Sequence, residues 1–382
     1  MGAYRIPFNR PGLVGNELPY MAEAIGHGHI SGDGTFTRKC HRLLEQTLGV
    51  SRALLTTSCT HALEMAGLLL ELQPDDEVIV PSFTFVSTIN AFVLRGARPV
   101  FADIRPDTLN LDEERLEALV TPRTRAIVVV HYAGVGAEMD RIPEVARRHG
   151  VAVVEDNAQG LFGRYRGRHL GTLGALATLS FHETKNVTCG EGGALLVNDA
   201  RYAERAEILR EKGTNRSRFF RGEVDKYTWV DVGSSYLPSD LLAAFLYAQL
   251  EAWETIQARR RRIWEYYHEH LQALSDEYGI RLPTVPAHCV QPYHMFYVLL
   301  RSEAQRQAVI ADLKAQGILS VFHYLPLHLS EMGARFGGKP GDCPVTEDVS
   351  HRLLRLPFYN DLEELAQADV VAAIAESIRR RA

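Results

Sequence analysis

The chain is expected to be an α/β protein: a mostly parallel sheet covered by helices on both faces, followed by a small α+β unit. Two patterns predict this. From residue 53 to residue 197, short apolar runs alternate with amphipathic stretches, the rhythm of strand, helix, strand. Past Arg281 that rhythm gives way to a looser series of strands and helices. The chain is 382 residues long, enough for a large domain and a smaller one.

The elements follow in order. Residues 5–34 are rich in Pro and Gly, with one short helical pattern at 16–25; helical spacing then runs over 35–48. Strands are predicted at 53–56, 77–81, 98–103, 126–131, 151–155, 176–181 and 194–197. Helical patterns lie between or after them, at 60–72, 86–94, 112–119, 138–149 and 200–212. A basic, aromatic loop follows, Thr214 to Trp229. A helical pattern from Ser239 to about Leu274 is long enough to link two domains. The last part reads as a strand at 294–300, a helix at 303–316, a strand at 319–324, and helices at 345–354 and 362–379. The expected division is a large domain with an N-terminal arm at 1–250 and a small domain at 251–382.

Composition narrows the function classes. A net charge of -5 gives no general attraction to nucleic acid or anionic membrane. No apolar run is long enough to span a bilayer, and MGAYRIPFNRPG has no hydrophobic signal core, so a cytoplasmic protein is expected. The five cysteines are scattered without a CxxC pair, and HExxH is absent, so neither a disulfide framework nor a metal site is expected. No GxGxxG follows a strand and no Walker A sequence occurs, which disfavours nicotinamide and P-loop chemistry.

Four stretches carry chemistry. Lys185 follows the buried run Ala175–Phe181, inside SFHETKNVTCGEGG. Burial lowers a lysine's pKa, and a neutral amine attacks carbonyls. TTSCTHALEMAGLLL ends a strand in small hydroxyl residues and opens a helix, so Ser58 or Cys59 either caps that helix or presents its N–H groups to a phosphate. In PSFTFVSTINA, Phe83 and Phe85 either pack in the core or stack on a flat ring. VAVVEDNAQG places Asp156 at the carboxyl end of a buried strand, where open α/β sheets bind ligands; it either caps the next helix or keeps a heterocyclic nitrogen protonated. Gln159 can donate to a nearby oxygen. An aspartate paired with a strand-end lysine suits pyridoxal phosphate, whose ring then acts as an electron sink.

Several stretches, in order, resemble the DegT/DnrJ/EryC1/StrS family: SGDGTFT, TSCTHALEMA, PSFTFVSTINAFVLRGA, VHYAG, VEDNAQG, SFHETKN and GEGG. The likeness runs from about residue 6 to the C-terminus. REKGTNRSRFFRGEVDKYTW and VFHYLPLH are similar to stretches of its dTDP-4-amino-4,6-dideoxygalactose transaminase branch. The resemblance implies the type I, aspartate aminotransferase-like fold of pyridoxal phosphate-dependent transferases. It implies that Lys185 carries the cofactor covalently, Asp156 pairs with the pyridine nitrogen, Gln159 contacts the ring hydroxyl and Phe85 stacks on the ring. Cys59 and Thr60 would give backbone N–H groups, and Ser180 a hydroxyl, to the phosphate. Dehydratase relatives carry histidine where Lys185 stands, so transamination is favoured over deoxygenation. Many relatives have an Asn-Tyr-Arg run that reaches the neighbouring subunit's phosphate; in GSSYLPSD, Ser235 stands at the asparagine's place.

Substrate contacts are read from two stretches. Arg216, Arg218, Arg221 and Tyr227, in the Thr214–Trp229 loop, are either a solvated basic surface or a clamp for a nucleotide diphosphate. His323 and Tyr324 either approach the hexose or pack at a strand end. The activity implied by the resemblance is amino transfer from L-glutamate to the C4 ketone of a dTDP-4-keto-6-deoxyhexose, by a homodimer with shared sites. The alternatives are a deoxygenase or epimerase of the same fold, and a non-enzymatic regulator that binds a sugar nucleotide.

Overall fold

The structure is a computed structural model and describes residues 4–381. Its strands in chain order are β1 (Arg52–Thr56), β2 (Glu77–Pro81), β3 (Arg98–Ala102), β4 (Thr124–Val130), β5 (Ala152–Asp156), β6 (Arg164–Tyr165), β7 (Arg168–His169), β8 (Leu176–Ser180), β9 (Gly193–Val197), β10 (Cys289–Val290), β11 (Tyr297–Leu299) and β12 (Leu353–Arg355). The main sheet has seven strands in the order β1-β9-β8-β5-β4-β2-β3. Every neighbouring pair is parallel except those made by β9, which runs antiparallel to both β1 and β8. All seven expected strands are present, each within two residues of its expected ends.

These strands read as nearly unbroken apolar runs because both faces are covered. On one face, the helix Cys59–Leu69 packs Leu63, Met65 and Ala66 against Leu54, Val78, Val128 and Leu195. On the other, Phe36, Leu44, Leu246 and Leu250 meet Ala53, Leu55 and Leu179. Successive strand residues point to opposite faces, so neighbouring acids on β5 part company. Glu155 turns into the protein, accepting from the Gly171 N–H at 2.8 Å and from those of Leu173 and Gly174 at 2.6 Å, and pairing with His131 at 2.8 Å. Asp156 turns towards the carboxyl ends of the strands.

The SGDGTFT stretch has a structural task. The Asp240 carboxylate accepts from the N–H and hydroxyl of Thr37, both at 2.8 Å, and from the Phe36 N–H at 3.2 Å, holding the start of the helix Thr35–Leu48. A Cβ on Gly34 would lie 2.2 Å from that carboxylate, which is why glycine stands there.

Four expectations differ from the structure. The helical pattern from 239 is two helices, Asp240–Glu251 and Trp253–Tyr278, broken at Ala252. The first half buries Ala243, Leu246 and Leu250 beside the main sheet, while the second buries Ile263, Tyr267 and Leu271 against β11 and the C-terminal helix; one straight rod could not serve both cores. Residues 319–324 form no strand, only a single bridge between Val321 and Arg355. They place the rings of consecutive His323 and Tyr324 together, which alternating strand faces would forbid. The helix expected at 345–354 stops at Arg352, and the chain extends into β12, antiparallel to β11. The helix expected at 112–119 is a 3-10 turn followed by one α-turn.

Candidate active site

A cavity of about 620 Å³ opens at the carboxyl ends of the parallel strands, where such sheets place ligands. Val130, Asp156 and Ser180, the last residues of β4, β5 and β8, all line it. Of the residues singled out in the sequence, it gathers Cys59, Thr60, Phe85, Asp156, Gln159, Ser180, Lys185, His323 and Tyr324. The two aromatics after β2 divide: Phe83 is buried core, whereas Phe85 is 57% exposed and faces the cavity.

The loop after β8 folds back on itself and fixes Lys185. The Lys185 N–H donates to the His182 carbonyl and the Cys189 N–H to the Phe181 carbonyl, each at 2.9 Å. Among the described residues the Lys185 ammonium has no ion-pair or hydrogen-bond partner. Burial, with the Arg355 charge, holds its pKa below the usual lysine range, against the opposing pull of Cys59 and Asp156. Asp156 is shifted the other way. Burial raises its pKa, although the Thr88 hydroxyl donates to it at 2.8 Å and the Ala158 N–H at 3.2 Å. An enclosed carboxylate with no cation bonded to it is prepared for one that arrives.

The other walls are equally set. Gln159 accepts the Ala133 N–H at 2.7 Å and donates to the Tyr324 hydroxyl at 3.1 Å, leaving one amide hydrogen for a ligand. Asn186 donates to the Pro292 carbonyl at 2.7 Å, which turns its own oxygen to His294 Nδ1 at 2.9 Å. His294 therefore donates from Nδ1 and offers Nε2 as an acceptor; burial keeps it neutral, far below the usual histidine pKa. The N–H groups of Cys59 and Thr60 open the helix Cys59–Leu69, while the Ser58 hydroxyl accepts from His61 N–H at 3.1 Å. A Cβ on Gly193 would lie 2.4 Å from Cys59 N, so glycine keeps this turn clear.

Five expected site residues lie away from this cavity. Ser235 is exposed and bridges to Glu211. Arg216 pairs with Glu211, Arg218 with Glu204 and Glu223, and Arg221 with Glu207 and Glu223. Their guanidinium groups are engaged on the loop's own neighbourhood, and Tyr227 packs edge-on against Phe219. Conversely, Thr88, His294 and Arg355 line the cavity without having been singled out. Thr88 lay one helical turn beyond Phe85. Arg355 had a visible signal, a lone charge inside the apolar run LLRLPF.

The DegT/DnrJ/EryC1/StrS aminotransferase family model matches residues 13–375. An uncharacterized protein of Methanocaldococcus jannaschii, MJ1066, is 35% identical over 380 residues, covering 98% of this chain and 97% of that one. The aminotransferase TlmJ from Streptoalloteichus hindustanus superposes with a TM-score of 0.90 at 30% identity over 100% of both chains. DesV of S. venezuelae gives 0.89 at 31% identity, over 99% of this chain and 100% of that one. The chain belongs to this family of sugar aminotransferases, has their fold, and is a pyridoxal phosphate-dependent enzyme. The cavity fits that cofactor: an unpartnered lysine, a carboxylate enclosed without a cation, an exposed aromatic and an open helix N-terminus share one space.

Proposed function

We propose that the enzyme transfers the amino group of L-glutamate to the C4 ketone of a dTDP-4-keto-6-deoxyhexose, giving a dTDP-4-amino-4,6-dideoxyhexose and 2-oxoglutarate. The observation that carries the reading is the meeting of Lys185 and Asp156 in one cavity at the strand ends, with no ion-pair partner for either among the described residues. Lys185 is the cofactor's anchor and the proton carrier. Asp156 faces the ring nitrogen, Gln159 the ring hydroxyl and Phe85 the ring. Cys59, Thr60 and Ser180 receive the phosphate, whose charge suits the helix N-terminus.

Pyridoxal phosphate, when bound, supplies the aldehyde that exchanges amines and the ring that stores the electrons of a broken C–H bond. The chain's own residues do the rest. Asp156, ionised against the ring nitrogen, keeps that nitrogen protonated. Lys185, disfavoured as a cation by its surroundings, is an uncharged base once its nitrogen is released. It removes the proton from the α-carbon of glutamate. In the second half, working in reverse, the same amine delivers a proton to C4 of the sugar. His323 and Tyr324, on the cavity wall, meet the hexose.

The assembly we propose is a homodimer with shared sites, in the cytoplasm, each chain divided at residues 250 and 251. The break at Ala252 supports that division. Phe220, Tyr227, Trp229, Val230 and Val232 are at least half exposed, and Ser235 follows them. Such a surface supports contact with a second copy, in which Ser235 and the Arg216, Arg218 and Arg221 loop serve the partner's cavity.

The test is incubation of the holoenzyme with glutamate and dTDP-4-keto-6-deoxyglucose, with NMR of the sugar. The reading predicts an amine at C4 with stoichiometric 2-oxoglutarate. A 4-keto sugar recovered unchanged, or one that has lost a hydroxyl, contradicts it.

A further inference from the structure

One enclosed chain of side chains takes no part in the chemistry above. Ser82 follows β2, and His328 stands in the turn Leu327–Leu329, just beyond Tyr324; both are fully buried. Ser82 Oγ accepts the His328 backbone N–H at 3.1 Å, so its own hydrogen goes to His328 Nδ1, 2.6 Å away. His328 Nε2 then carries the ring hydrogen and donates it to Glu347 at 3.1 Å. The same carboxylate oxygen accepts the Gly341 N–H at 2.8 Å. The backbone is tied at the same point, where the Leu327 N–H donates to the Ser82 carbonyl at 3.0 Å. Serine, histidine and carboxylate in this order form an acyl-transfer triad when the serine is open to a substrate. Ser82 has no exposed surface and does not line the cavity, so the chain is a joint between two segments.

What the joint connects is the wall of the cavity. Phe85 lies three residues after Ser82, and Tyr324 three residues before Leu327. Their ring centroids are 6.4 Å apart, and both residues line the cavity. Among the described residues, none of the backbone N–H groups from Phe322 to Leu325 has a backbone acceptor. The backbone of this stretch is therefore placed from its ends: the bridge of Val321 to Arg355 on one side, and the tie to Ser82 on the other. Pro326, with its φ fixed by the ring, takes up little slack between Tyr324 and the joint. Lys185 and Asp156 are held differently, by the loop after β8 and by the end of β5, which the joint does not touch.

We propose that Ser82, His328 and Glu347 are positioning residues for the keto-sugar half of the reaction: their joint holds Tyr324 opposite Phe85 at the separation that admits the hexose. This rests on the transamination reading and deepens it. The glutamate half, which depends on Lys185 and Asp156, is insensitive to the joint.

The experiment compares holoenzyme of wild type, S82A, H328Q, H328N and the double variant S82A/H328Q. A glutamine at 328 places its amide near the Nε2 position, keeping Glu347 and losing Ser82; an asparagine places its oxygen near Nδ1 and keeps Ser82. The two half-reactions are followed separately by the cofactor's absorbance, first with glutamate, then with dTDP-4-keto-6-deoxyglucose. Calorimetry measures how much tighter dTDP-glucose binds than dTDP, which is the hexose's contribution. S82A and H328Q are expected to lower kcat/KM of the sugar half about 100-fold, the cost of a misplacement of about 1 Å, with the glutamate half unchanged. The double variant should be no worse than either single one, because both break the same bond. H328N should recover most of the loss, and S82A, which removes one oxygen, carries the test should H328Q not fold. A joint that only stabilises the fold would leave both half-reactions of the folded holoenzyme intact. That result, or an equal loss in both halves, overturns the proposal. Should wild type aminate no keto sugar while S82A and H328Q lose the hexose's contribution to binding, the transamination reading fails and the joint's assignment stands; if that contribution is also unchanged, both fall.

Discussion

Replacing Asp156 with Asn tests the electrostatics of the site with little change of shape. The amide can still accept from the Ala158 N–H and still meets the Thr88 hydroxyl, contacts of 3.2 and 2.8 Å in the native protein. What disappears is the charge. At an effective dielectric constant of about 20, a carboxylate about 4 Å from a pyridinium is worth about 4 kcal/mol. If the ring nitrogen is cationic only because of that carboxylate, the loss appears in the proton-transfer steps, and kcat should fall about a thousandfold. Cofactor content should survive, because Lys185 and the phosphate-binding turn are untouched. The assay is kcat for glutamate and keto sugar beside an absorbance measure of bound cofactor. A holoenzyme with near-native kcat would refute the pairing, since among the described residues no other enclosed carboxylate lines the cavity; Glu155 is committed to His131 and three backbone N–H groups.

Two further perturbations follow from the structure. Gly193→Ala would set a methyl 2.4 Å from Cys59 N, so the helix N-terminus must shift; cofactor affinity, measured by equilibrium dialysis, should fall about tenfold or more through lost phosphate contacts, and unchanged affinity would remove that turn from the phosphate site. His41 accepts the Leu55 N–H at Nε2, 2.9 Å away, and burial, aided by Arg210, lowers its pKa to about 3. Above the unfolded value of about 6.5, His41 is neutral in both states and contributes no pH dependence. Below it, the unfolded chain takes up a proton that the folded form refuses, so stability falls, by at most about 2 kcal/mol near pH 5. Denaturant unfolding should show a smaller loss on acidification in His41→Gln than in wild type, the buried His294 and His323 supplying the remainder; equal pH dependence in both would contradict the assignment.

Much of this was legible in the residues because strand ends are legible. Where the apolar run 151–154 gives way to Glu155 and Asp156, and the run 175–181 closes with Ser180 and Phe181, the pattern locates both the sheet and the rim of the cavity. Phe83 and Phe85 could not be told apart by type. Only the path of the chain after β2 sends one into the core and the other into the cavity. The Thr214–Trp229 loop reads differently in the fold. Its arginines are conspicuous in sequence, but Glu204, Glu207, Glu211 and Glu223 wait within reach of them in the fold. Arg355 is the reverse case. It is one charge within an apolar run, and it stands out only through the side-chain partners it lacks among the described residues. The expected strand at 319–324 failed because periodicity cannot anticipate two adjacent rings held on one wall.

Six lysines are candidates for the covalent link to the cofactor: Lys39, Lys185, Lys212, Lys226, Lys314 and Lys339. Reduction of the holoenzyme with borohydride, followed by digestion and mass mapping, identifies the one that carries it. The account predicts a single pyridoxyl adduct, on the peptide containing Lys185. An adduct on any other lysine, or full cofactor occupancy in Lys185→Ala after the same treatment, would contradict it.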